Sequence, residues 1–137
     1  MSIFLFHLTN QISLSRQLSI FDGFSIEPFK NQKVIVEKTV RQIAKDFALF
    51  GMKIEFAESV EWNYDELFRQ LLPTIDKLMY NDYPRLLSLL YQIDLSPANI
   101  HAARIEQPDT PDCELISALI IYREFKKVVF RMYYKSK

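Results

Sequence analysis

Pro111-Asp-Cys-Glu-Leu-Ile-Ser-Ala-Leu-Ile-Ile-Tyr-Arg-Glu-Phe-Lys-Lys-Val-Val-Phe-Arg-Met-Tyr-Tyr-Lys135 decides the fold. Placed on a helical wheel from Arg123, the residues Val128, Phe125, Met132, Val129, Tyr122, Leu119 and Phe130 fill an arc of about 200°. Arg123, Lys127, Arg131 and Lys135 fall together on the opposite arc. Earlier in the stretch Ile116 and Ile120 enter that opposite arc, so the first half is apolar on nearly every side. Such a helix runs through the middle of a bundle in its first half and shows a basic stripe at the surface in its second. Its start is marked by Thr110-Pro111, a capping residue followed by a proline whose missing N–H costs nothing at that position. Asp112 and Glu114 then sit near the positive end of the helix dipole.

The rest of the chain carries the same periodicity. Val36, Val40, Ile43, Phe47 and Phe50 recur at steps of four and three, which predicts a helix from Lys33 that Gly51 ends in a left-handed cap. Asn63, with Glu66 three residues on, has capping-box spacing. Tyr64, Leu67, Phe68, Leu71, Leu72, Ile75, Leu78 and Met79 continue as one apolar face past Pro73, which predicts a kink there or two short helices in series. Asp82 and Pro84 open a further helix through Leu86, Leu87, Leu90 and Ile93. Ser96-Pro97 opens a short one through Ile100 and Ile105, which stops at Gln107-Pro108-Asp109. Residues 52–61 alternate briefly and read as an extended segment without a strand partner. Residues 1–32 have scattered apolar side chains and no sustained period, and read as an arm that packs on the core or on a second subunit.

The fold expected is therefore a single all-α domain over 33–137, a bundle of about five helices with a long C-terminal helix, preceded by the arm. Composition agrees. A chain of 137 residues with 49% hydrophobic and 25% charged residues is large enough and apolar enough to bury its own core. It has two glycines, Gly23 and Gly51. Phosphate-cradling loops, tight hairpins and nucleophile elbows all use glycine for positive φ or close backbone approach, so nucleotide-binding α/β folds and β-rich folds are disfavoured together. One cysteine, Cys113, excludes a disulfide framework or a zinc cluster within one chain and suits a reducing, cytoplasmic setting. Residues 1–8 are apolar but lack a basic flank, and Asn10-Gln11 follow at once, so they do not read as a signal peptide. No stretch reaches the ~20 apolar residues of a membrane span, and no membrane partner is expected.

Catalytic chemistry finds no support in the residue pattern. His7 and His101 have no Glu or His at ligand spacing, so neither a zinc nor a di-iron helical site is expected, and no cofactor. Cys113 falls in the first turn of the last helix, where the dipole favours a thiolate, yet a small packing side chain explains it as well. Asp65, Glu66, Asp76, Asp82 and Asp94 form a loose acidic population in which capping and solvation account for Asp65, Glu66 and Asp82.

Charge is uneven even though Lys plus Arg (17) equals Asp plus Glu (17). Residues 123–137 hold six basic side chains and one acidic, whereas residues 53–82 hold seven acidic and three basic. The stripe of Arg123, Lys127, Arg131 and Lys135 is thus the candidate interaction surface. It is a solvated face, or it pairs with the acidic segment in the fold or on a second copy. Alternatively it meets nucleic-acid phosphates, with Tyr133 and Tyr134 beside it to stack on bases.

Three runs, Glu37-Lys-Thr-Val-Arg-Gln-Ile-Ala-Lys-Asp-Phe-Ala-Leu-Phe-Gly51, Leu89-Leu-Tyr-Gln-Ile-Asp94 and Leu115-Ile-Ser-Ala-Leu-Ile-Ile-Tyr-Arg-Glu-Phe-Lys-Lys-Val128, resemble a group of small helical bacterial proteins of unassigned function. The resemblance spans about residues 33–135 and implies a bacterial cytoplasmic setting and an all-helical fold; it implies no site residues. The function expected is a non-catalytic protein–protein interaction or assembly module. It would act by self-association, as a homodimer, or with another protein. Binding of nucleic acid through the basic stripe is the alternative.

Overall fold

A computed structural model describes residues 24–58 and 61–134. Five helices make up the described fold: α1 (Lys33–Ala48), α2 (Tyr64–Asn81), α3 (Tyr83–Gln92), α4 (Pro97–Glu106) and α5 (Asp112–Tyr134). The described residues contain no strand, and the protein is all-α. No described helix is long and apolar enough to cross a membrane.

Local signals set the helix boundaries. Asn63 Oδ1 accepts from the Glu66 amide at 2.9 Å and Asp82 Oδ1 from the Arg85 amide at 3.3 Å. Ser96 and Asn99 form a reciprocal capping box ahead of α4. At Asn63 the box is half made, because the Glu66 carboxylate turns forward to Arg69 and Gln70 instead of back to the cap. Gly51, at φ 71°, closes α1 as expected: the Met52 amide reaches Phe47 O and the Gly51 amide Ala48 O. Asp94 repeats this closure after α3 at φ 68°, with Leu95 bonding back to Leu90 and Asp94 to Tyr91. Pro73 lies inside α2, which continues through it as one helix; the division into two short helices does not occur.

α5 is the axis of the bundle. Leu115, Ile116, Ala118, Leu119, Ile120 and Ile121 are all buried, as the all-round apolar pattern demands, and α1, α2 and α4 pack on this helix. Each large side chain so enclosed contributes on the order of 1.5–3 kcal/mol. The residues just before α1 join the same core. Ile26 is fully buried, Phe24 and Phe29 pack on it, and the Tyr122 hydroxyl donates to Phe24 O at 2.8 Å. Residues 24–32 of the expected arm therefore pack on the helices, and residues 1–23 lie outside the described residues.

The alternating segment after α1 is neither helix nor strand over residues 52–58. Its backbone finds a side-chain partner. The Ala57 amide donates to Gln70 Oε1 at 2.8 Å and Gln70 Nε2 donates to Ala57 O at 3.1 Å. One primary amide thus makes the paired bonds that a neighbouring strand would make.

Candidate functional site: a cationic groove between α1 and α5

The second half of α5 lies against α1, and this contact disperses the basic stripe. Arg123 turns to the end of α3, where Nε and Nη2 donate to Asp94 O at 3.1 and 2.9 Å and Nη2 meets Asp94 Oδ2 at 3.2 Å. It fastens the left-handed turn at Asp94. Lys127 points inward, with Nζ 3.2 Å from Asp46 Oδ2 and 3.1 Å from Glu124 Oε1. Arg131 is exposed, and its Nη1 donates to Gln42 Oε1 at 3.0 Å. Lys135 lies outside the described residues. Among the described residues, the acids seen to meet the stripe are Asp46, Asp94 and Glu124.

Beside Arg131 of this stripe, both helices build a groove. α1 supplies Lys38, Arg41, Gln42 and Lys45; α5 supplies Val128, Arg131 and Met132. The volume of this open groove is about 820 Å³. Each set follows helical spacing: 38, 41, 42 and 45 on one face of α1, and 128, 131 and 132 on one face of α5. Among the described residues four cations line it and no carboxylate does. Lys38, Arg41 and Lys45 are exposed, and Arg41 makes only a loose contact with Glu37 at 3.7 Å. Val128 and Met132 give the groove an apolar floor. Its described lining offers cations to an anionic ligand and Val128 and Met132 to an apolar face of it.

Under one wall of the groove lies a buried polar cluster. Glu124 is 1% exposed, Asp46 5% and Gln42 8%. Burial pushes the Glu124 carboxyl up to about 8, and the neighbouring Asp46 adds to that rise while Lys127 opposes it. Burial also works against the Asp46 charge, but the bonds from Glu124, Lys127 and Gln42 outweigh it and hold Asp46 below the usual carboxylate range. For Lys127 burial disfavours the ammonium, and the two carboxyl groups more than compensate, so its pKa is raised. The two shifts run in opposite directions, so Glu124 is the member of the pair that holds a proton more readily and Asp46 the one that gives it up.

The other residues singled out from the sequence are placed as follows. His101 is exposed on α4, and His7 lies outside the described residues. Cys113 is half-buried, and burial, followed by the nearby acids Asp76 and Glu114, pushes its thiol up to about 12, the reverse of the activation that a helix N-terminus gives a thiol. Among the described residues no group of three or more His, Cys, Asp or Glu side chains could hold a metal ion. Lys38 and the α1 half of the groove were missed from the sequence, although Lys38, Arg41 and Lys45 recur at steps of three and four and are legible as a second basic stripe. Comparison with family models, with curated proteins and with solved structures finds no match to this chain.

Proposed function

We propose that this protein is a non-catalytic interaction module that holds an acidic, amphipathic segment of a protein partner in the α1–α5 groove. The observation that carries this reading is the lining itself: Lys38, Arg41, Lys45 and Arg131 around an apolar floor of Val128 and Met132, with no acid among the described lining residues. An amphipathic segment lays apolar side chains on such a floor and acidic ones against the rim, and charge complementarity then sets register and speeds capture. Self-association is the case in which a second copy supplies the acids. Glu58 and Glu61 are exposed in the acidic segment 53–82 and make no ion pair among the described residues. The resemblance to small helical bacterial proteins implies a bacterial, cytoplasmic setting for this module.

Nucleic-acid binding is the second reading, because the same four cations would also meet a row of phosphates. Exposed Tyr133 and Tyr134 close α5 beyond the groove and favour it.

Fluorescence anisotropy separates the two. The probes are a labelled Glu/Leu-rich helical peptide and generic single- and double-stranded oligonucleotides, each at low and near-physiological salt. The proposal expects the peptide to bind, and the triple variant Lys38→Ala, Arg41→Ala, Lys45→Ala to bind it about tenfold or more weakly with its fold intact. Salt-sensitive binding of oligonucleotides in preference to the peptide, lost in the same variant, transfers the reading to nucleic acid. No binding of either probe at low salt rejects the groove as an anion site. Sedimentation velocity across the same salt range shows whether a second copy is the partner.

A further inference from the structure

The groove is wired to the buried acid pair. Gln42 stands in its wall and Arg131 on its rim, and their side chains are joined by the bond from Arg131 Nη1 to Gln42 Oε1 at 3.0 Å. On its other side Gln42 Nε2 donates to Asp46 Oδ1 at 3.1 Å. Asp46 Oδ2 meets Lys127, which meets Glu124. One continuous chain of polar contacts therefore runs from the solvent-facing guanidinium to a carboxyl group that solvent does not reach. A buried cluster of this kind is expensive, since apolar side chains of similar volume usually stabilise a helix contact as well or better. Fold stability gives no reason to place two carboxyl groups there in place of one.

We propose that the Asp46–Glu124 pair is a proton-operated control on the groove: with the shared proton in place the groove is fully cationic and its walls are held together, and loss of that proton weakens anion binding. The proposal rests on the groove being the binding site. Two effects act in one direction. Ionised Glu124 adds a negative charge at the buried end of the contacts that lead to Arg131, which lowers the attraction of the rim for an anionic ligand. It also sets two carboxylates from facing helices against each other with one ammonium between them, which strains the α1–α5 contact that forms the walls. The direction of the Glu124 shift places the change just above neutral pH.

Among the described residues, the charged groups around Glu124 come from two elements. α1 brings Asp46, and α5 itself brings Lys127, with Arg123 one turn before Lys127 and Arg131 one turn after it, directed to Asp94 and to Gln42. α2 meets this part of α5 through the Tyr64 ring, which lies against Phe125 and stacks on Phe68. Within this cluster of described residues, titration just above neutral belongs to the carboxyl pair.

The test has one arm with a ligand and one without. Affinity for the labelled Glu/Leu-rich peptide is measured from pH 6 to 9, below the ordinary range of lysine, in the wild type and in Glu124→Gln. The proposal expects wild-type affinity to fall roughly three- to tenfold through this window and the Gln variant to hold the low-pH affinity throughout. Equal pH dependence in both proteins, or none in the wild type, overturns it. The second arm follows the Gln42 side-chain amide by ¹⁵N–¹H NMR in the unliganded protein. A midpoint near 8 that disappears in Glu124→Gln supports the relay. A Gln42 amide that does not titrate refutes it. If the peptide fails to bind at every pH, the groove reading fails, and the Gln42 titration alone decides whether the acid pair acts on the groove wall.

Discussion

Glu124→Gln is expected to stabilise the protein, and to do so more as pH rises. In the unfolded chain Glu124 titrates near 4.5, whereas in the fold its carboxyl is pushed up to about 8. A group whose folded value is raised contributes its stability in full below the unfolded value and loses it as pH climbs toward the folded one. Between pH 4.5 and pH 7 the unfolded chain releases a proton that the fold retains. Each pH unit costs about 1.4 kcal/mol, so at pH 7 up to about 3 kcal/mol is withheld. Glutamine has no proton to lose, donates to Asp46 as the protonated acid does, and offers its oxygen to Lys127. The variant should match the wild type near pH 4.5 and gain about 1–3 kcal/mol by pH 7–8. Urea unfolding of both proteins at intervals from pH 4.5 to pH 8.5 measures the difference directly. A constant difference across this range, or a variant less stable than the wild type at pH 8, would show that Glu124 is ionised in the fold and paired with Lys127, and the reasoning would be refuted.

Three further perturbations test the scaffold. Gly51→Ala places a Cβ at φ 71° with nothing within 4 Å, so the loss should be the backbone term alone, about 1–2 kcal/mol; a larger loss by urea unfolding would mean that the turn is held by more than its dihedral angle. Ile120→Ala empties a fully buried site where α5 is enclosed and should cost about 2–5 kcal/mol in the same assay; a loss under 1 kcal/mol would contradict α5 as the core axis. Gln70→Ala removes both bonds to Ala57 and should cost only about 1 kcal/mol globally while greatly speeding limited proteolysis within residues 52–58. Unchanged cleavage there would show that something other than Gln70 holds this segment.

Helix ends were legible because their chemistry is local. Asn63, Asp82 and Ser96-Pro97 announce themselves within four residues, and the structure starts helices after each of them. The all-round apolar run of Leu115 to Ile121 was enough to place α5 in the middle. The groove was only half legible. Periodicity shows which residues share a face of one helix, and it found Arg131 with its neighbours on α5. It does not show which face of another helix lies opposite, so Lys38, Arg41 and Lys45 were never joined to Arg131. Charge pairing escaped for the same reason. The segment 53–82 has the larger acidic excess, but Asp46 and Asp94 have the position, and attraction at a few ångströms decides against bulk charge. Glu124 sits among basic residues on the wheel and reads as solvated; it is buried because α1 covers that arc. The role of Gln70 as a substitute strand depends on a contact that no spacing rule anticipates.

The central place of α5 also has a consequence for how the chain comes off the ribosome. α1, α2, α3 and α4 are all synthesised before the helix on which the bundle is organised. The bond from Tyr122 to Phe24 spans 98 residues, so the fold closes through partners made at widely separated times. Until residues 115–125 have left the exit tunnel, the apolar faces of the earlier helices lack the surface they are shaped to cover. The nascent chain must hold them in a loose, sticky state, which is where aggregation competes with folding and chaperones act. A premature stop anywhere in the first half of α5 would not yield a slightly smaller domain. It would yield a set of helices with nothing to enclose.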